Sequence, residues 1–222
     1  MAHTLEPPST TLDEPGLPAA VSLTPVERAA LLDIARAAVA AAVRAVPVGT
    51  LRDALARHSG LERRAAAFVT LTESGELRGC VGHMDPDTPV ADSVVEAANW
   101  AALGDPRFPS VRAQELSRLH LEVSVLGPLI LQADPSRWRL GVDGIVVERG
   151  LRRGLLLPEV GPMLGNDRTA MLDTACRKAG LAPGAWRDTG TTLYAFRTDR
   201  FGGPAIADAA ERTPGGPAIL RP

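Results

Sequence analysis

Two extended runs joined by a tight polar turn constrain this chain most. Ala65 to Thr72 and Leu77 to Gly82 flank the segment Glu73-Ser74-Gly75-Glu76. Extended runs around a Ser-Gly turn predict a β-hairpin. The second run, Leu77-Arg78-Gly79-Cys80-Val81-Gly82, sets a thiol between two glycines and two residues after an arginine. Alternate side chains of a strand point to opposite faces. Leu77, Gly79 and Val81 are therefore expected on one face, and Arg78 and Cys80 on the other. A guanidinium fixed beside a thiol favours the thiolate, the nucleophilic form of cysteine. Gly79 and Gly82 would leave bare backbone that another molecule can approach. The competing reading makes Cys80 a small buried hydrophobe and the glycines room for a packed helix.

The rest of the chain sets the hairpin among helices. Thr24-Pro25-Val26-Glu27 carries a capping threonine, a proline at the first helical position and a glutamate for a capping box. Apolar residues from Leu31 to Val46 follow helical spacing, and Gly49 reads as the stop. A second helix is expected from about Pro89 to Leu103 with Thr88 as its cap, broken by Gly104-Asp105-Pro106-Arg107-Phe108-Pro109. Leu119 to Leu126 alternates apolar and polar residues, the pattern of a half-buried strand, with His120, Glu122 and Ser124 on its polar face. Strands are also expected at Ile145-Val146-Val147, at Leu155-Leu156-Leu157 before Pro158, and from Thr191 to Thr198. A helix from Asn166 or Asp167 to Ala179 ends at Gly180. Residues 1–22 read as a disordered arm, 23–201 as the domain and 202–222 as a loose Pro/Gly-rich tail. Helices and hairpins without regular strand-helix alternation predict an α+β fold, mainly antiparallel sheet with flanking helices.

Composition narrows the function classes. Hydrophobic residues make up 45% of the 222, enough for a sizeable core. The net charge of -2 excludes a general nucleic-acid binder, which needs clustered positive charge. No stretch is long and apolar enough for a bilayer, and no signal-peptide pattern opens the chain. A cytoplasmic protein with reduced thiols at Cys80 and Cys176 is expected. The two cysteines make no CxxC pair, and His3, His58, His83 and His120 have no metal-ligand spacing. No cofactor pattern is evident: Gly141-Val142-Asp143-Gly144 is a turn, without a phosphate-loop lysine. Cys176 reads as core, and Trp100, Trp138 and Trp186 as packing anchors.

The run from Leu77 to Gly82 resembles the LRGCIG signature of the AMMECR-one family. Further blocks keep the family's order: Phe68-Val69-Thr70-Leu71, Asp105-Pro106-Arg107-Phe108-Pro109, Leu121 to Leu126, Gly141 to Gly144, Gly154 to Pro158, and Cys176 to Leu181. The resemblance covers about residues 25–201. It implies two intertwined α+β parts sharing antiparallel sheet, and a protein of the A type in the AmmeMemoRadiSam system, with a Memo-like protein and a radical SAM protein as partners. The family's activity is not established. This chain departs from the pattern at Glu159, where glutamine is common, and at Leu164-Gly165-Asn166-Asp167, which lacks a frequent tryptophan.

Two functional readings follow. In the first, an enzyme or acceptor is centred on Cys80, with Arg78 stabilising the thiolate and Asp105, Arg107, Glu122 or Ser124 supplying polar groups. Nucleophilic catalysis also wants a base within hydrogen-bond reach, for which His83 and His120 are the candidates. In the second, Gly79, Gly82, Asp105 and Arg107 form a non-catalytic surface for a protein partner or an unknown small ligand. Asp105 and Arg107 have a competing structural role, a salt-bridged turn after a helix.

Overall fold

The computed structural model describes residues 21–58, 61, 63–132 and 134–205. The helices are α1 (Pro25–Ala42), α2 (Val48–Arg57), α3 (Val90–Leu103), α4 (Val160–Met163) and α5 (Arg168–Lys178). The strands are β1 (Ala67–Glu73), β2 (Glu76–Gly82), β3 (Leu119–Leu126), β4 (Ile130–Leu131), β5 (Gly144–Arg149), β6 (Arg152–Leu156), β7 (Thr192–Phe196) and β8 (Thr198–Pro204). A 3₁₀ helix, Ala113–Arg118, leads into β3. The α+β class with antiparallel sheets is as the sequence implies. The chain forms two compact units: Val21–Gly127 with the stretch from Thr198, and Pro128–Arg197.

In the first unit the strands run in the order β2-β1-β3-β8, all antiparallel. The hairpin turns through Ser74 (φ 53°) and Gly75 (φ 86°), the two left-handed residues of a type I′ turn. The inner face carries Val69, Leu71, Leu121, Val123 and Val125, all fully buried. They join one core with Leu31, Ile34 and Ala38 of α1 and Val94, Ala98 and Ala101 of α3. Each large side chain buried this way stabilises the unit by about 1.5–3 kcal/mol. The small face of α1 lets it lie close on the sheet. Thr24 Oγ1 accepts the Glu27 N–H (3.2 Å) and Glu27 accepts the Thr24 N–H (2.7 Å), so the capping box forms as the sequence implies.

Four local expectations need correction. α1 ends at Ala42 rather than near Val46, because Arg44 turns left-handed (φ 59°) and the Ala45 N–H bonds back to the Ala40 carbonyl. Gly49 is no stop: it lies inside α2, which begins after Pro47 and sends Ala54 into the core. Thr88 does not cap α3; its hydroxyl donates to Asp85 (2.7 Å), and Pro89 holds the cap position. Finally, Gly202, Gly203 and Pro204 belong to β8, opposite Glu122, Leu121 and His120 of β3. The structured chain thus runs past 201, and Val21 already packs on the core. The expected arm at 1–20, with His3, and the expected tail at 206–222 lie outside the described residues.

In the second unit the order is β4-β7-β5-β6, with α5 packed on β5 and β6. Its core gathers Trp138, Ile145, Val147, Leu156, Met171, Leu172 and Cys176. Asp167 caps α5 by accepting from Thr169 and Ala170, and Gly180 (φ 69°) follows its end. The turn at Gly141–Gly144 is structural. Asp143 is buried within it and accepts from Arg139 (2.7 Å) and Arg197 (3.4 Å). Trp138 is buried and Trp186 donates to Asp173 (2.9 Å), but Trp100 is no buried anchor: it is 54% exposed, its ring lying over Gly104.

Candidate functional site

β2 is an edge strand, and its residues do different work from what alternation alone implies. The β1–β2 register slips by one residue: Thr72 faces Leu77, but Leu71 faces Gly79 and Thr70 faces Cys80. Arg78 is the extra residue of a β-bulge, which re-aims side chains locally. Leu77 therefore leaves the face of Gly79 and Val81 and is 39% exposed. Gly79 and Val81 stay on the core side, and Cys80 points to the outer face.

The bulge also decides where Arg78 goes. Its Nε donates to Glu115 (2.9 Å) and its Nη1 to the Pro109 carbonyl (2.7 Å). The pair is well covered, and Arg78 holds the Glu115 carboxyl below its ordinary range. Arg78 thus pins the segment before β3, and its expected role beside the thiol is not what its contacts provide. The space at the glycines is likewise taken up by the fold's own atoms. A Cβ on Gly79 would sit 2.1 Å from the Ala101 carbonyl oxygen of α3, and one on Gly82 would sit 2.5 Å from the Phe68 ring. Both permit close packing of the fold, so neither offers the bare surface expected for a ligand.

Arg107 supplies the cation instead. Asp105, nearly buried, accepts the Cys80 N–H (2.9 Å) and both Nε (2.9 Å) and Nη2 (2.6 Å) of Arg107. Arg107 Nη2 donates in turn to the Cys80 carbonyl (3.1 Å). Together they make the two bonds that a neighbouring strand would make, closing the open edge of the sheet at Cys80. Chiefly through the bonds from Arg107, the Asp105 carboxyl is held well below the usual carboxylate range. Arg107 is raised mainly by Asp105, with the charge of Cys80 a smaller cause in the same direction. Its guanidinium is half exposed and rests over the Phe108 ring at 5.4 Å. The salt-bridged turn and the contact with Cys80 are therefore one structure.

On the outer face the register aligns side chains across three strands. Cys80, Thr70 and Glu122 form one row, and Gly82, Phe68 and Ser124 the next. Thr70 Oγ1 donates to Cys80 Sγ at 3.2 Å. Glu122 pairs with Arg200 of β8 at 3.2 Å. Strands lie about 4.8 Å apart, so Cys80 and Glu122 stand about 10 Å from each other, the span of a small molecule. Ser124 is buried with no partner for its hydroxyl. His120 is exposed opposite Thr72. His83 is engaged elsewhere, accepting the Asp85 N–H and lying 3.9 Å from Glu96.

Thr70, Glu115 and Arg200 were not singled out by sequence reasoning. Counting outward from the Ser74–Gly75 turn sets Thr70 opposite Gly79, and only the bulge brings it to Cys80. Cys176 is fully buried, which pushes its thiol pKa up, and neither cysteine forms a disulfide. Glu159 lies in the second unit, just before α4. Among the described residues no group of three or more His, Cys, Asp or Glu is placed to hold a metal ion, and no helix is long and apolar enough to cross a membrane.

The AMMECR1 family matches residues 32–201, which span both units and every residue of this site. The chain belongs to the AMMECR1 family. A protein from Methanothermobacter thermautotrophicus is 47% identical over 145 residues, 63% of this chain and 76% of its own length. Protein TK0174 of Thermococcus kodakarensis is 37% identical over 172 residues, 73% of this chain and 80% of its own. The crystal structure of protein PH0010 from Pyrococcus horikoshii superposes with a TM-score of 0.69 at 34% identity, covering 78% of this chain and 91% of that one. In this AMMECR1-family chain β2 is thus an edge strand whose cysteine is clamped through its backbone.

Proposed function

We propose that Cys80 is the reactive centre of a thiol-dependent site on the outer sheet face, and that the protein works as one component of a modification system with a Memo-like and a radical SAM protein. One observation carries the chemical part. Asp105 and Arg107 fix both backbone groups of Cys80, while its sulfur lies on a partly open face and receives the Thr70 hydroxyl. A sulfur that accepts a hydrogen bond near a guanidinium is favoured as thiolate. In this reading Cys80 is nucleophile or acceptor, Arg107 the nearby cation and Thr70 the donor that orients the sulfur. Glu122 and Arg200 would hold the far end of a small substrate. The partner assignment rests on family resemblance.

The second reading is a non-catalytic module that uses the half-exposed Arg107 and Phe108 as a docking surface. Incubation with the two partner proteins, followed by peptide mass mapping and pull-down, separates the two. The thiol reading expects a mass gain on the Cys80 peptide that Cys80→Ser abolishes while capture persists. Capture that survives Cys80→Ser, fails with Arg107→Ala and brings no mass change supports the module instead.

A further inference from the structure

The segment that Arg78 pins carries a second feature outside the cysteine site. The 3₁₀ helix Ala113–Arg118 has three residues per turn, so residues three apart stack on one ridge. That ridge carries Glu115 and Arg118, and Arg112 stands at its start as the N-cap residue. Arg78 pairs with Glu115, and the Arg112 backbone N–H donates to the same carboxylate. These four residues, with Pro109 and Gln114, line an open hollow of about 620 Å³.

The bonds divide the arginines by role. Arg78 is committed to Glu115 and the Pro109 carbonyl. Glu115 also accepts the Arg112 backbone N–H at 2.7 Å, so its carboxylate is fully engaged. Arg118 bonds Glu73 and the Gln114 carbonyl yet remains 55% exposed on its side chain. Arg112 is exposed on the same ridge. With Arg78 paired to Glu115 and Arg118 to Glu73, Arg112 leaves the hollow a net positive charge on a protein whose net charge is -2. Bulk charge would repel an acidic ligand, so attraction here would be local.

We infer that this hollow docks an extended acidic segment of a partner protein, with Arg112 and Arg118 each taking a carboxylate. Spacing favours a peptide over a single small anion. At a rise of about 2.0 Å per residue, Arg112 and Arg118 stand about 12 Å apart along the ridge. An extended chain rises about 3.3 Å per residue, so carboxylates four positions apart, on the same face, span about 13 Å. The volume far exceeds that of one phosphate and falls in the range of built ligand sites. The open shape suits a chain passing through.

The test is fluorescence anisotropy with fluorescein-labelled octaglutamate and full-length protein at low ionic strength. Saturable binding is expected, with Kd rising about tenfold in Arg112→Gln/Arg118→Gln and when salt reaches about 0.15 M. Arg118 also braces Glu73, so Arg112→Gln alone serves as a second variant and is expected to weaken binding about threefold with an unchanged melting curve. An unchanged Kd in both variants, or no saturable binding by the wild type, overturns the inference. So does displacement of the peptide by equimolar inorganic phosphate, which would mark a small-anion site.

Discussion

Asp105 ties the turn, the edge strand and the thiol together with one carboxylate. Its oxygens accept one bond from Cys80 and three from Arg107. Replacing it with asparagine removes the charge that those donors face. Bonds to charged groups contribute about 1.5–3 kcal/mol each, so Asp105→Asn is expected to destabilise the fold by about that much near neutral pH. Its depressed folded pKa fixes the sign of the pH dependence. The stabilisation is fully present above the unfolded carboxylate value of about 3.9 and is lost as pH falls toward the folded one. Urea melts at several pH values should show a constant gap between wild type and variant above about pH 5 that shrinks below about pH 4. A gap independent of acid would show that the charge is not what matters. At this scale the sequence was partly legible: Cys80, Asp105 and Arg107 stood out, and the structure joins them. Arg78 was misread because a one-residue bulge cannot be seen in a residue pattern, yet it decides which face each side chain takes.

At the scale of elements, Gly79 of β2 sets how closely α3 lies on the sheet. A methyl on Gly79 would meet helix backbone, which cannot rotate away as a side chain can. Gly79→Ala should therefore cost about 1–3 kcal/mol by overpacking, a fall in Tm of several degrees for a chain this size. Gly75→Ala is the contrast: the turn is open, so only its left-handed backbone resists, at about 1 kcal/mol. Equal Tm changes would argue against the packing role. β8 gives a second test. A chain ending at Phe201 loses the strand residues facing Leu121 and Glu122, and the Ala205 N–H bond to the Leu119 carbonyl. It should melt below a chain ending at Ala205. The hairpin, the β3 alternation and the Thr24–Glu27 capping box were legible because each is a local pattern. The end of β8 was not, since Gly-Gly-Pro reads as loop until a neighbouring strand supplies its hydrogen bonds.

Over the whole molecule the chain leaves the first unit after Gly127 and returns to it at Thr198. The site in the first unit therefore draws on the hairpin, on the segment after α3, on β3, and on β8 from the far end of the sequence. Such a site is assembled only when the fold closes, which is why the order of family blocks indicated its members but not their contacts. The units place the two thiols in opposite environments: Cys80 on a partly open sheet face, Cys176 in the core of the other unit. Alkylation of the native protein by iodoacetamide, read peptide by peptide by mass spectrometry, measures that difference directly. Cys80 is expected to be alkylated at neutral pH while Cys176 stays unmodified until the protein is denatured, and Arg107→Ala is expected to slow the Cys80 reaction about threefold or more through loss of the nearby cation. A Cys80 as silent as Cys176 in the folded wild-type protein would contradict the thiol reading.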